Sequence, residues 1–164
     1  QFLKDEGVGG RNLDKRSMFY YFATVNTPAM AMKLIEVGSQ YGWGYLDSKG
    51  NYLDGGKNYT LHMPKDPPRK AFTSIVVYDP QTRSELQTSQ PYPSKNDVRD
   101  KDTLIFNEDG SYDLYFGPEA PAGKEANWIQ TVKGKGWFCV LRMYSPTEEW
   151  YEFKWLPGEI ELVK

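Results

Sequence analysis

The sequence is short of the residue types on which most catalytic chemistry draws. It holds one cysteine, Cys139, and one histidine, His62, in 164 residues. A lone cysteine forms no internal disulfide and a lone histidine satisfies no zinc or two-histidine iron spacing, so no metal centre and no cofactor is expected. Net charge is small as well: 20 basic residues stand against 22 acidic ones, a formal charge of -2. That balance supplies no long-range attraction to nucleic acid or to an anionic membrane. Long apolar runs are missing, since nothing approaches the ~18 consecutive residues that a membrane span requires. The first residues lack the apolar stretch of a signal peptide. A periplasmic or extracellular setting is the expectation, with any export signal already removed from a chain that starts at Gln1.

What the sequence has in quantity is aromatic and turn-forming residues: 12 Tyr, 8 Phe and 5 Trp beside 15 Gly and 11 Pro. That mixture favours pleated surfaces joined by tight turns. A chain of this length fits one domain and buries roughly 70% of the surface its unfolded form exposes, enough for a core without staples.

Polar residues 1–12, with Gly7, Gly9 and Gly10, read as an arm or linker from something upstream. Over 13–25 Met18, Phe19, Phe22 and Val25 fall at helical spacing, and Asn26-Thr27-Pro28 ends the helix they predict. After Gly38 the texture changes to short extended runs, at 40–46, 58–63, 72–78, 104–106, 112–116, 136–144 and 159–163. Turn clusters punctuate them: Asp47-Ser48-Lys49-Gly50-Asn51, Asp54-Gly55-Gly56, Asp79-Pro80-Gln81-Thr82 and Asn107-Glu108-Asp109-Gly110. Polar loops fill 87–102 and 117–126, and a helical turn is expected over 147–153. The pattern predicts a mainly all-β domain over 13–164, an antiparallel sandwich or jelly roll of about eight strands with one leading helix. A small closed barrel is the structural alternative.

Candidate site residues fall in three places. Tyr78-Asp79-Pro80-Gln81-Thr82-Arg83 brings an acid and an arginine to the end of one strand, where Asp79 and Arg83 either hold a polar ligand or cap and brace the turn. Tyr41, Trp43 and Tyr45 share one strand face by alternation and form either packing or a stacking platform for a sugar, with Trp128 a further candidate ring. Lys124 and Glu125 follow a Pro/Gly loop. Arg142 lies within an apolar strand and needs a partner, Glu125 and Asp79 being the acids in view. His62 reads as a surface residue opposite Leu61 and Met63, and Cys139, inside Trp137-Phe138-Cys139-Val140-Leu141, reads as core. Nothing local favours the two as a nucleophile and base. No pair among the 22 acids stands out as a glycosidase pair.

Several longer strings carry a resemblance. They include Leu53-Asp54-Gly55-Gly56-Lys57-Asn58-Tyr59, Val77-Tyr78-Asp79-Pro80-Gln81-Thr82-Arg83 and Tyr115-Phe116-Gly117-Pro118. Others are Gly123-Lys124-Glu125-Ala126-Asn127-Trp128-Ile129-Gln130-Thr131, Gly134-Lys135-Gly136-Trp137-Phe138 and Trp155-Leu156-Pro157-Gly158-Glu159-Ile160. From about Arg16 to the C-terminus the chain resembles the family catalogued as domain of unknown function 1214. The resemblance implies a jelly-roll-like β-sandwich and a companion N-terminal domain, numbered 1254, as partner; it implies no catalytic residues.

Three functions follow as expectations. The first is a binding module for a carbohydrate-like or small polar ligand. The second is an assembly role, packing against the companion domain or copies of itself. The third is a hydrolase using Asp79 and Arg83, with Glu125 beside them.

Overall fold

Alternation along three strands decides the layering. Tyr59, Leu61 and Met63, then Tyr112, Leu114 and Phe116, then Cys139, Leu141 and Met143 are all buried within one cluster, while the residues between them point the other way. A computed structural model describes residues 33–163. Within them lie β1 (Ser39–Gly44), β2 (Tyr59–Met63), β3 (Thr73–Tyr78), β4 (Ser94–Asn96), β5 (Tyr112–Gly117), β6 (Trp128–Gln130), β7 (Phe138–Tyr144) and β8 (Ile160–Leu162). They form two four-stranded sheets, ordered β1-β7-β3-β4 and β6-β5-β2-β8. The core cluster draws on both sheets, so their inner faces share it. The expected arm at 1–12 and leading helix at 13–25 lie outside the described residues.

The mainly β expectation holds, with four differences of detail. The β5–β6 pair is parallel, Tyr115 beside Trp128, where an antiparallel sandwich was expected. The intervening loop, with a short 3-10 turn at Glu125–Asn127, crosses over rather than turning back, which is what a parallel pair requires. Residues 104–106 form no strand. Only Leu104 is buried, its N–H bonds back to Asp100, and Ile105 gives both backbone groups to the Asn127 side chain. The polar loop at 87–102 holds an edge strand, β4, paired with β3. The turn after β1 closes only as an isolated bridge between Leu46 and Tyr52, because β1 pairs with β7 instead. The expected helical turn is present as Glu148–Tyr151.

Cys139 is fully buried in the core, and that burial pushes its thiol up to about 12. Each large apolar side chain so buried contributes about 1.5–3 kcal/mol, which makes the shared cluster the main support of both outer faces.

Candidate functional site

The strand end after β3 is a built turn. Asp79 Oδ1 accepts the backbone N–H groups of Gln81 (2.7 Å) and Thr82 (3.2 Å), and Oδ2 takes Lys135 Nζ at 2.8 Å. The hydrogen bond from Lys135 is the main reason its carboxyl titrates below the usual aspartate range, with the two backbone N–H groups assisting. Arg83 closes the turn through its backbone, donating to the Asp79 carbonyl at 2.9 Å with a φ of 64°. The ion-pair partner of Asp79 is therefore Lys135. A carboxylate held by three donors is a cap rather than an acid or base.

The 124–128 segment is braced in a similar way. Glu125 accepts the Gly123 N–H at 3.0 Å and Trp128 Nε1 donates to the Gly117 carbonyl at 2.9 Å. Lys124 Nζ stands 5.8 Å from the centre of the Tyr115 ring, which ties this loop to the second sheet.

Outside the core, the first sheet presents aromatic rings. Tyr41, Trp43 and Tyr45 share its outer face. Trp43 and Tyr45 stack at 6.1 Å, both meet Phe138 (5.9 and 5.4 Å), and Tyr78 stacks on Phe138 from the other side at 5.3 Å. Arg142 sits in the same face between Tyr41 and Ser74, and its Nη2 donates to the Tyr78 hydroxyl. The sequence pointed to Glu125 or Asp79 as its partner. Neither is, because Glu125 closes its own loop and Asp79 is held by Lys135.

The outer face of the second sheet is open and polar. Thr60 and His62 of β2, Asp113 and Tyr115 of β5, and Glu161 of β8, with Gly158 and Glu159, line a groove of about 450 Å³. The register puts His62 opposite Asp113, and Thr60 between Tyr115 and Glu161. His62 Nδ1 lies 2.7 Å from Asp113 Oδ1. The carboxylate thus engages one ring nitrogen of His62 and leaves the other, Nε2, clear of it. Ser48 Oγ donates to Glu161 Oε2 at 2.6 Å and so fixes that wall. Gly158 donates its N–H to the His62 carbonyl at 2.8 Å, and a Cβ there would come within 3.2 Å of His62 Cβ, so the absent side chain lets the segment before β8 lie across the histidine.

Sequence reasoning missed this groove. Its signal was present as the polar half of two alternations, Thr60/His62 and Asp113/Tyr115, but only the pairing of β2 with β5 puts them together. His62 and Cys139 belong to different sheets and opposite sides, Cys139 inward and His62 outward, so they form no dyad. Among the described residues no three His, Cys, Asp or Glu side chains gather as metal ligands, and no helix is long and apolar enough to cross a membrane. The groove offers hydroxyls, carboxylates, an imidazole and one ring, a set suited to holding a hydroxylated molecule by directed hydrogen bonds.

The comparisons agree with the strings read from the sequence. A family model described as protein of unknown function (DUF1214) matches residues 38–148. The chain belongs to that family. Among solved structures it is similar to the VPA0106 protein from Vibrio parahaemolyticus, at 21% identity and a TM-score of 0.68 over 88% of this chain and 34% of that one. It also matches an uncharacterized protein from Burkholderia cenocepacia, at 16% identity and a TM-score of 0.48 over 78% of this chain and 31% of the other. The chain thus spans about a third of the length of these structures. A search of curated proteins finds no match. For this DUF1214 chain the Vibrio structure supports the fold alone.

Proposed function

We propose that this protein is a binding module for a small polar, carbohydrate-like ligand, and that the ligand occupies the groove on the outer face of the second sheet. The observation that carries the reading is a groove of about 450 Å³ whose walls combine the Tyr115 ring with the His62–Asp113 pair, Thr60 and Glu161. Ligand sites are concave, a few hundred Å³ in size, and fix orientation with a small number of polar groups. The groove has that size, and its lining is more polar than that of most such sites, which favours a hydroxylated ligand over an apolar one. Tyr115 supplies an apolar platform, and the carboxylates accept from ligand hydroxyls.

Jelly-roll winding of the two four-stranded sheets is part of the same proposal, supported by their order around one shared core. So is a companion domain beside this one, in keeping with a Vibrio structure about two and a half times as long. A hydrolase reading finds less support, because Asp79 is tied up as a turn cap and no serine or cysteine stands among the described residues lining the groove.

Calorimetric titration of the chain with neutral mono- and disaccharides tests the reading. Binding is expected, and Tyr115→Ala and Asp113→Ala each weaken it about tenfold or more while the protein stays folded. Absence of binding by every sugar, or unchanged affinity in both variants, contradicts it.

A further inference from the structure

No described carboxylate lies within ion-pairing distance of Arg142. It stands in β7 with Tyr41 opposite on one side and Ser74 on the other, on the outer face of the first sheet. One of its N–H groups reaches the Tyr78 hydroxyl, and the guanidinium carbon lies 5.9 Å from the centre of that ring. Its Nε is buried and makes no hydrogen bond to a described residue. The described arginine–carboxylate pairs belong to Arg69 with Asp97 and to Arg99 with Asp100, and none involves Arg142.

A half-buried cation without a counter-charge is costly, and so is a buried donor without an acceptor. A single group cures both defects. An oxyanion accepts from the guanidinium fork through two oxygens and neutralises the charge. The neighbours suit such a guest. Ser74 adds a hydroxyl-bearing residue directly across the ladder, Tyr78 already holds one arm of the fork in place, and Tyr41 is the exposed ring at the rim.

We propose that Arg142 anchors the oxyanion of a small ligand, a carboxylate or phosphate, on the outer face of the first sheet. This site is separate from the groove and goes beyond the reading given for it. The carboxylate of an acidic sugar and free inorganic phosphate share the chemistry, and the test distinguishes them.

The experiment is an NMR titration of the chain that follows the Arg142 Nε–H together with backbone amides, using glucuronate, inorganic phosphate and glucose as probes. Glucuronate or phosphate should shift the Arg142 Nε–H and the amides of Tyr41, Ser74 and Tyr78, and glucose should not. A response to glucuronate alone assigns the site to acidic sugars; an equal response to phosphate assigns it to oxyanions in general. Arg142→Lys keeps the charge but loses the fork, and should weaken binding about tenfold or more. If neither anion moves the Arg142 Nε–H, the proposal is overturned, and the wild-type titration decides this even if a variant fails to fold. Shifts confined to Thr60, Asp113 and Glu161 would overturn it while supporting the groove. Wild-type affinity in a folded Arg142→Lys protein would also overturn it.

Discussion

On its outer side the first sheet carries Trp43, Tyr45 and Tyr78 packed ring on ring around Phe138, with Arg142 beside Tyr78, whereas the second carries Thr60, His62, Asp113, Tyr115 and Glu161 around an open groove. Both faces alternate with core-facing residues and rest on the same core. They differ in how far their side chains are withdrawn from water. Phe138 and Val140 are each only 4% exposed although they point away from the core, while His62 on the opposite face is exposed. Outward-facing residues of the first sheet therefore act largely as a second packing layer, and those of the second remain available to a ligand.

Substitutions measure that difference. The largest effect is expected from Phe138→Ala, which removes the ring that Trp43, Tyr45 and Tyr78 share and should cost about 3–5 kcal/mol in urea unfolding. A loss below about 1 kcal/mol would dissolve the contrast between the faces. Next comes Asn127→Ala. Asn127 is 2% exposed, accepts from the Ile105 N–H at 2.8 Å and donates to the carbonyls of Ile105 and Asp113 at 2.8 and 2.9 Å. Leaving those backbone groups unpaired should cost about 1–3 kcal/mol and loosen the segment along β5.

Asp79 gives a smaller effect that depends on pH. Its carboxyl is held below the usual range chiefly by Lys135. The stabilisation is therefore full above the unfolded aspartate value of about 3.9 and is lost as pH falls through the lower folded value. Melting temperature should fall with acid, and Asp79→Asn should make that fall shallower without removing it. Asp47, Asp100 and Asp109 are depressed too, by hydrogen bonds from Asn51, Arg99 and Ser111 respectively, as are Glu125 by backbone N–H groups and Glu149 by Thr147, and all of them add to the slope. An unchanged slope in the variant would show that the Lys135 contact does not persist in solution. The smallest effect should come from His62→Ala, since an exposed hydrogen-bonded His–Asp pair contributes only about 0–1 kcal/mol. If this variant destabilised the fold as strongly as Phe138→Ala, the groove would be scaffold.

Which parts were legible follows from the range of the forces involved. Apolar alternation in Tyr59/Leu61/Met63 and Tyr112/Leu114/Phe116 is local, so it announced both strands and the faces they bury. The burial of Cys139 was legible from its apolar neighbours for the same reason. Pairing is not local. The partner of β1 is β7, about a hundred residues away, and the shared core rather than any turn selects it. The strand expected at 104–106 failed because Asn127, twenty-two residues on, supplies through its side chain the bonds a neighbouring strand would have made. The groove was hidden for a related reason: His62 looked solitary along the chain, and its partner Asp113 becomes visible only across the β2–β5 ladder. Arg142 was legible as a residue in need of a partner, but its neighbours in space are Tyr41, Ser74 and Tyr78 rather than the acids in view.

The central claim is that the second sheet's outer face is a ligand site, and an NMR titration of the chain with glucose and cellobiose tests it most directly. The account predicts saturable amide shifts gathered at Thr60, His62, Asp113, Tyr115 and Glu161, with the first sheet undisturbed. Shifts gathered at Tyr41, Trp43 and Tyr45 instead, or no shifts at all with either sugar, would contradict it.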